Sequence, residues 1–199
     1  MRWFGEMWRK GVHLSAILIP LGYYFTSEKT GRRILISLCG IVFLIDVIRL
    51  NQPRIRTFFF IFFGRLVRDH ERYNLLGATY LMLSSLICAY AFEKPIAVAA
   101  IAFLILGDSA AALVGKSIGR IRVFGKTLEG SLACFAVCMA TGWVIRLGGQ
   151  LQQNAGLDLT MIQIVGGAVM ATLIELLPVP LDDNIRIPLA AGFTMTLLQ

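Results

Sequence analysis

Residues 95–114 read PIAVAAIAFLILGDSAAALV, a stretch that is almost uniformly apolar apart from Asp108. A run of roughly 17 to 25 apolar residues is the length that an α-helix needs to cross a bilayer. A carboxylate at that depth costs about 2.5 to 3.5 kcal/mol on insertion scales, so it marks a functional position by default. The stretch therefore predicts a membrane-spanning helix that carries one functional acid.

The rest of the chain has the composition of an integral membrane protein. Hydrophobic residues make up 57% of its 199 positions and the mean hydropathy is +0.72, values that are far from those of a soluble domain. We predict an all-α fold, a polytopic transmembrane helical bundle of about seven spans that forms a single catalytic domain over residues 1–199. The predicted spans lie near residues 12–25, 34–50, 75–92, 95–114, 131–147, 160–177 and 187–198.

A short aromatic stretch, FFFIFF at residues 58–63, is too brief to cross a bilayer. Arginines flank it on both sides, which suits a helix that lies at the membrane interface with its cations among the lipid headgroups. An extension of a neighbouring helix would explain the stretch equally well.

The distribution of cations predicts the orientation of the chain. With the N-terminus in the cytoplasm, most lysines and arginines fall on the inner side, as the positive-inside rule requires. The net charge of +7 follows from this bias and from attraction to anionic lipid, so no nucleic-acid partner is expected. The buried acids Asp46, Asp108 and Glu175 then lie at or near the inner side, where one polar cavity open to the cytoplasm would relieve the cost of all three.

The chemistry of such a cavity favours a metal and a phosphorylated ligand. Carboxylates suit Mg²⁺, which commonly bridges protein acids and nucleotide phosphates, and cations and the backbone amides of a glycine-rich loop suit the phosphates themselves. Residues 110–117 resemble a phosphate-binding P-loop only superficially, because alanine stands in place of the first glycine and no strand precedes it. The metal candidates are Asp108, Asp182 and Asp183. The phosphate candidates are Lys126 and Thr127, with Arg120 or Arg122, in the loop that contains Gly115 and Gly119.

Three smaller groups of residues fall on the same predicted face. Arg9 and His13 are spaced to project together from one helix, although such a pair is ordinarily structural. The segment that begins at Glu71 and ends at Asn74 also fits an ion-paired helix start. The segment that begins at Asp182 and ends at Asn184 also fits a plain turn.

Taken in order, these residues resemble the family of dolichol kinases, phytol kinases and CTP-dependent diacylglycerol kinases. The resemblance runs through nearly the whole chain, and its most specific parts are residues 107–131 and the Asp-Asp-Asn-x-x-Ile-Pro-Leu motif at 182–189. The motifs that carry it are Arg9-Lys10-x-x-His13, Asp46-x-x-Arg49, Glu71-Arg72-Tyr73-Asn74, Gly107-Asp108-Ser109-Ala110-Ala111, Gly115, Gly119, Lys126-Thr127-x-Glu129-Gly130-Ser131 and Asp182-Asp183-Asn184-x-x-Ile187-Pro188-Leu189.

The resemblance implies transfer of a phosphoryl group from a nucleoside triphosphate, typically CTP, to the hydroxyl of a membrane lipid alcohol such as a polyprenol, phytol or diacylglycerol. It also implies an Mg²⁺ cofactor. The residues that it assigns to the nucleotide and Mg²⁺ site are Asp108, Lys126, Thr127, Glu129, Asp182, Asp183 and Asn184. Of these, we expect Asp108, Lys126 and Asp183 to be catalytic, with Asp108 steering the hydroxyl proton and Asp46 and His13 behind it.

Two other functions remain open from the sequence. A CTP:lipid-phosphate cytidylyltransferase would also use CTP and Mg²⁺, although the chain lacks a Pro-Gly-His-Gly-Gly-type stretch. A small ion- or proton-coupled transporter would use buried acids along a path across the bilayer, yet here the polar residues gather at one end. A homo-oligomer is possible, because Gly166, Gly167 and Ala168 offer a small-residue face for close helix packing.

Overall fold

The computed structural model describes residues 2–64, 66–151 and 158–199, and these form a helical bundle, as predicted. A π-helical turn at Phe103–Gly107, a 3₁₀ turn at Asp69–Arg72 and two short strands, β1 (Arg122–Val123) and β2 (Lys126–Thr127), complete the regular structure of the described residues. The helices are α1 (Arg2–Ser15), α2 (Leu18–Phe25), α3 (Glu28–Asn51), α4 (Pro53–Phe63), α5 (Gly77–Ala91), α6 (Lys94–Ala102), α7 (Asp108–Ser117), α8 (Leu128–Leu151), α9 (Met161–Leu176) and α10 (Asp183–Leu197).

Residues 95–114 lie in the central helix of the bundle. Helix α6, the π-helical turn and α7 run on as one helical segment, Lys94–Ser117. Of its most apolar window, 72% is buried inside the protein, against 22% for α3 and 28% for α8. A helix that is apolar on all sides belongs in a core, so the segment that carries Asp108 is surrounded by the other helices.

The long helices agree with the predicted membrane spans. Within the described residues, α3, the α6–α7 segment and α8 are long and apolar enough to cross a bilayer, and α5 and α9 are shorter apolar helices. Large apolar side chains such as Leu44, Leu132 and Val144 are exposed on the outer faces of α3 and α8, where a bilayer would cover them. The chain is a membrane protein, and its span count and orientation stay predictions.

The first predicted span, residues 12–25, is wrong as one continuous helix, because α1 ends at Ser15 and α2 begins at Leu18. Pro20 explains the break. It has no N–H to donate to the carbonyl of Ala16, and its ring crowds that carbonyl. The amide of Ile19 donates to Ala16 instead, in a tighter turn, at 2.9 Å. The α-helical hydrogen bonding is therefore interrupted between Ser15 and Leu18.

Residues 58–63 belong to α4, which is a separate helix. Gln52 is extended (φ −116°, ψ 109°) and interrupts the helical backbone between α3 and α4, with Pro53 in the first turn of α4. A simple extension of α3 is thereby excluded. The interfacial position of α4 stays a prediction.

The last helix begins at Asp183, four residues before the predicted start at residue 187, so the acidic motif forms its N-terminal turn. The predicted small-residue face packs within the chain. A Cβ added to Gly167 would lie 2.8 Å from the side chain of Met195 on α10. The glycines of α9 thus serve the α9–α10 contact, and a homo-oligomer stays a prediction.

Candidate phosphoryl-transfer site

The strand pair of the 115–130 loop fixes the position of Lys126. Strands β1 and β2 are antiparallel, and Arg122 faces Thr127. The two turn residues, Phe124 (φ 51°) and Gly125 (φ 86°), both have positive φ, as a type I′ hairpin turn requires. Phenylalanine in this conformation costs about 1 to 2 kcal/mol, so the surrounding contacts must hold the hairpin in place.

Thr127 supplies one of those contacts, because it lies among three glycines. A Cβ added to Gly115 would lie 2.5 Å from Thr127 Oγ1, and one added to Gly130 would lie 2.9 Å from the same atom. A Cβ on Gly119 would also collide with Thr127. The Thr127 hydroxyl accepts a hydrogen bond from the Gly130 amide at 3.2 Å and so caps the start of α8.

Glu129 closes the same loop. Its carboxylate accepts hydrogen bonds from the amides of Arg120 (3.0 Å) and Ile121 (3.2 Å). The side chains of Arg120 and Arg122 are exposed. The structure thus gives Thr127, Glu129 and the glycines a part in shaping the loop, and their predicted contacts with nucleotide stay predictions.

Lys126 projects from the hairpin to the opposite wall of the site. Its ammonium lies 2.9 Å from Glu175 Oε1 and 3.4 Å from Asp183 Oδ2, and it donates to the main-chain carbonyl of Glu175. Arg186 also pairs with Asp183, through Nε at 2.7 Å and through Nη2. The hairpin, the end of α9 and the start of α10 therefore meet at one lysine.

Asp108, the first residue of α7, meets the end of α1. Lys10 Nζ lies 2.5 Å from Asp108 Oδ2, and His13 Nε2 lies 3.8 Å from the same oxygen. His13 Nε2 is buried and has no hydrogen-bond partner among the described residues. Lys10 and His13 of α1 are therefore the direct neighbours of Asp108, and Lys126 adds a weaker electrostatic attraction.

Asp46 and Arg49 form a completely buried ion pair at the end of α3. Arg49 also donates to the carbonyl of Glu71 at 3.1 Å and to that of Asn74 at 2.8 Å. The second carboxylate oxygen of Asp46 accepts from Thr79 Oγ1 at 2.7 Å. The pair holds the 71–74 segment against α3 and α5, so its contacts are structural.

Hydrogen bonds of the Glu71 carboxylate and of Asn184 to Gly77 link the 71–74 segment to α10. It accepts from the amide of Gly77 at 3.1 Å, and Asn184 Nδ2 donates to the carbonyl of Gly77 at 3.0 Å. Asp182 caps α10 by accepting from the Asn184 amide at 2.9 Å, and it lies 3.6 Å from Arg68. The Asp182-Asp183-Asn184 motif is thus tied down on both sides of Asp183.

The three predicted metal ligands do not form one compact group. Within the described residues, no three histidine, cysteine or acidic side chains are arranged to hold a metal ion by themselves, and Asp182 is engaged as a helix cap. The remaining acids still fit a cation that is shared with phosphates, since Mg²⁺ usually takes only one or two carboxylates and leaves its other positions to phosphate and water. One carboxylate oxygen in the site, Glu175 Oε2, is buried and without a hydrogen-bond partner among the described residues.

Sequence reasoning missed the partners of the predicted residues. The Arg9-Lys10-x-x-His13 motif assigns no role to Lys10, and the sequence marks Glu175 only as a costly buried acid. Lys10 pairs with a residue 98 positions away and Lys126 contacts one 49 positions away, so no local spacing could reveal either contact. Arg9 is half-buried, and its predicted contact with substrate stays a prediction.

An open groove of about 710 Å³ lies beside the 71–74 segment. Its lining includes Phe60 and Phe62 of α4 together with Arg72, whose guanidinium lies 5.7 Å from the centre of the Phe60 ring. Aromatic walls with one cation at the edge suit an amphipathic molecule.

Comparison with known proteins adds the chemistry of relatives to this geometry. A CTP-dependent diacylglycerol kinase 1 from Eremothecium gossypii is 30% identical over 97% of this chain and 69% of its own length. A CTP-dependent diacylglycerol kinase 1 from Saccharomyces cerevisiae is 28% identical over 97% of this chain and 75% of its own length. A probable phytol kinase 1 from Glycine max is 29% identical over 63% of this chain and 45% of its own length. No family model and no solved structure matches the chain.

These relatives are lipid kinases, and a kinase that acts on a lipid hydroxyl needs cations and carboxylates of the kind gathered around Asp108 and Lys126. The match to the diacylglycerol kinases runs through nearly the whole chain, so the predicted resemblance is confirmed. The chain belongs to the family of membrane lipid-alcohol kinases that includes the CTP-dependent diacylglycerol kinases and the phytol kinases.

Proposed function

We propose that this protein transfers the γ-phosphoryl group of CTP to the hydroxyl of a membrane lipid alcohol, with diacylglycerol as its foremost acceptor. The observation that carries the proposal is that Lys126 pairs with Asp183 and also attracts Asp108 electrostatically. The choice of CTP and diacylglycerol is supported by the relatives of those names, which align over 97% of this chain, whereas the probable phytol kinase aligns over 63%.

In the proposed reaction, the oxygen of the lipid hydroxyl forms a bond to the γ-phosphorus of CTP. The bond from that phosphorus to the oxygen bridging the β- and γ-phosphates breaks, and CDP leaves with the electron pair. The hydroxyl proton passes to the Asp108 carboxylate and then to water. Phosphoryl transfer asks a protein mainly for positioning and charge neutralisation, so this small set of side chains is sufficient.

Each polar residue has a defined task in this proposal. Lys10 keeps Asp108 anionic and oriented, because its ammonium lies 2.5 Å from the carboxylate. Lys126 binds the phosphates, and Asp108 and Asp183 are the carboxylates offered to Mg²⁺. When bound, Mg²⁺ would neutralise charge on the phosphate oxygens. Arg186 orients Asp183.

We place the acyl chains of the acceptor in the groove beside the 71–74 segment, with the hydroxyl directed to the site. The groove is supported as the lipid side because its wall is formed by α4, the aromatic helix that we predict to lie at the membrane interface. Phe60→Ser should then raise the KM for lipid several-fold and leave the KM for CTP unchanged, which steady-state kinetics in mixed micelles would measure. We further propose that this end of the bundle faces the cytoplasm, from which CTP arrives.

The decisive experiment supplies purified protein with CTP labelled in the γ- or the α-phosphate, Mg²⁺ and a panel of lipid alcohols. A kinase yields γ-labelled lipid phosphate and CDP, whereas a cytidylyltransferase yields α-labelled CDP-lipid and pyrophosphate. Asp108→Asn should abolish lipid phosphorylation without loss of expression. Wild-type turnover by Asp108→Asn, or no γ-transfer to any alcohol, would refute the proposal.

A further inference from the structure

The ammonium of Lys126 lies in a ring of oxygens. Glu175 contributes Oε1 at 2.9 Å together with its main-chain carbonyl, and Asp183 contributes Oδ2 at 3.4 Å. The Glu175 carbonyl is available because it belongs to the last turn of α9, which ends at Leu176, where helix carbonyls lack intrahelical partners. The C-terminal end of a helix also carries partial negative charge, so this position attracts cations.

Glu175 has more binding capacity than Lys126 uses. The residue is 4% exposed, and its Oε2 has no hydrogen-bond partner within the described residues. A buried carboxylate with an unused oxygen is costly unless a cation or a hydrogen-bond donor completes it. The unused oxygen therefore adds a further ligand, beyond those that Lys126 occupies, for a cation at this position.

We propose that the oxygens of Glu175 and Asp183 form the protein's half of a divalent-cation site, in which the Lys126 ammonium takes the place of the cation until nucleotide binds. The inference rests on the proposed function and adds Glu175 to its cation site. Carboxylate and carbonyl oxygens are the ligands that hard divalent cations prefer, and these are the groups that now surround the ammonium.

This arrangement couples the cation to the nucleotide. Without nucleotide, a divalent cation must displace a lysine that is already paired with both carboxylates. The phosphates of a bound triphosphate attract the lysine, and the vacated oxygens then become available. Because coupling between two ligands is reciprocal, the nucleotide should strengthen cation binding and the cation should strengthen nucleotide binding by the same factor.

The test measures Mn²⁺ binding by electron paramagnetic resonance to the full-length protein in detergent, which requires no turnover. In the absence of nucleotide, Lys126→Gln should bind Mn²⁺ roughly tenfold more tightly than wild type, because a competing positive charge has been removed. Adding Glu175→Gln to Lys126→Gln should abolish that gain. Glu93→Gln, which neutralises an exposed carboxylate between α5 and α6, serves as the matched control in the Lys126→Gln background and should leave the gain intact.

A non-hydrolysable CTP analogue supplies the second measurement. It should tighten Mn²⁺ binding to wild type, and this enhancement should be smaller in Glu175→Gln. If the Lys126→Gln variant does not fold, the wild-type and Glu175→Gln proteins still test the inference, because the CTP analogue should tighten Mn²⁺ binding less in Glu175→Gln. Equal Mn²⁺ affinity with and without the Glu175 carboxylate would overturn the inference.

The result is separable from the proposed function. Mn²⁺ binding that depends on Glu175, in a protein that transfers no γ-phosphoryl group to any lipid, would support the cation site and reject the proposed reaction. Lipid phosphorylation together with Mn²⁺ binding that is indifferent to Glu175 would support the reaction and reject this site.

Discussion

Replacing Arg49 by methionine should destabilise the protein severely, because Arg49 is the centre of a buried polar cluster. Both Arg49 and Asp46 have 0% exposure. The guanidinium makes five hydrogen bonds, two to the Asp46 carboxylate and three to main-chain carbonyls of the 71–74 segment. Methionine keeps the apolar stem but removes the counter-charge of Asp46 and the guanidinium donors to Asp46 Oδ1 and to those carbonyls.

Breaking a buried ion pair by removing one partner costs about 3 to 5 kcal/mol. We expect a loss of this size in the free energy of unfolding, measured in detergent by denaturant titration with circular dichroism. Arg33→Met is the matched control on the same helix, since Arg33 is exposed, and it should change stability by no more than about 0.5 kcal/mol.

A second variant separates lost charge pairing from lost packing. Asp46→Asn in the Arg49→Met background should recover part of the stability, because it removes the unpaired charge while an oxygen remains for the Leu76 amide and Thr79. A loss below about 1 kcal/mol for Arg49→Met would show that the buried pair does not hold the 71–74 segment, and the reasoning would fail.

Three further predictions concern the site itself. Lys10→Met should lower kcat roughly a hundredfold with little change in the KM for CTP, because Asp108 loses its ammonium partner. Steady-state kinetics would measure both constants, and an unchanged kcat would contradict the prediction. Gly115→Ala brings a methyl 2.5 Å from Thr127 Oγ1 and should lower the free energy of unfolding by about 1 to 3 kcal/mol. Gly22→Ala is the control and should be neutral, because nothing lies within 4 Å of the added methyl. Equal losses of stability in the two variants would contradict this prediction. Chelation with EDTA should abolish turnover and excess Mg²⁺ should restore it; full activity in EDTA would exclude a role for a divalent cation.

The sequence predicted the long helices well because bilayer thickness fixes their length and hydropathy reports it directly. The α6–α7 segment and α8 contain the predicted spans with a few additional residues at each end. The break near Pro20 was missed because a proline in an apolar run permits either a kinked helix or two helices. Only the backbone shows that the Ala16 carbonyl is taken by Ile19.

The residues of the candidate site that belong to sequence motifs could be predicted, whereas their partners on other helices could not. Asp108, Lys126 and Asp183 stand out by residue type, and the structure places Lys126 within 3.4 Å of Asp183 and places Asp108 against α1. Their counter-charges did not stand out, because a lysine near the end of a helix is ordinary at a membrane interface and Glu175 is a single acid in an apolar helix. Pairings between distant segments are set by how the helices cross, which no local spacing records.

The π-helical turn at Phe103–Gly107 constrains the length of the helical segment in a way that its apolar composition does not reveal. A π-helical turn contains one residue more than the α-helix around it would need, and each residue of an α-helix advances the side-chain direction by about 100°. Because the turn absorbs the extra residue, deleting one of the five would return the segment to a regular α-helix and leave Asp108 facing the end of α1. Inserting a further residue would instead rotate Asp108 by about 100°, away from the end of α1. The stretch should therefore accept only apolar exchanges of similar volume and should tolerate no inserted residue.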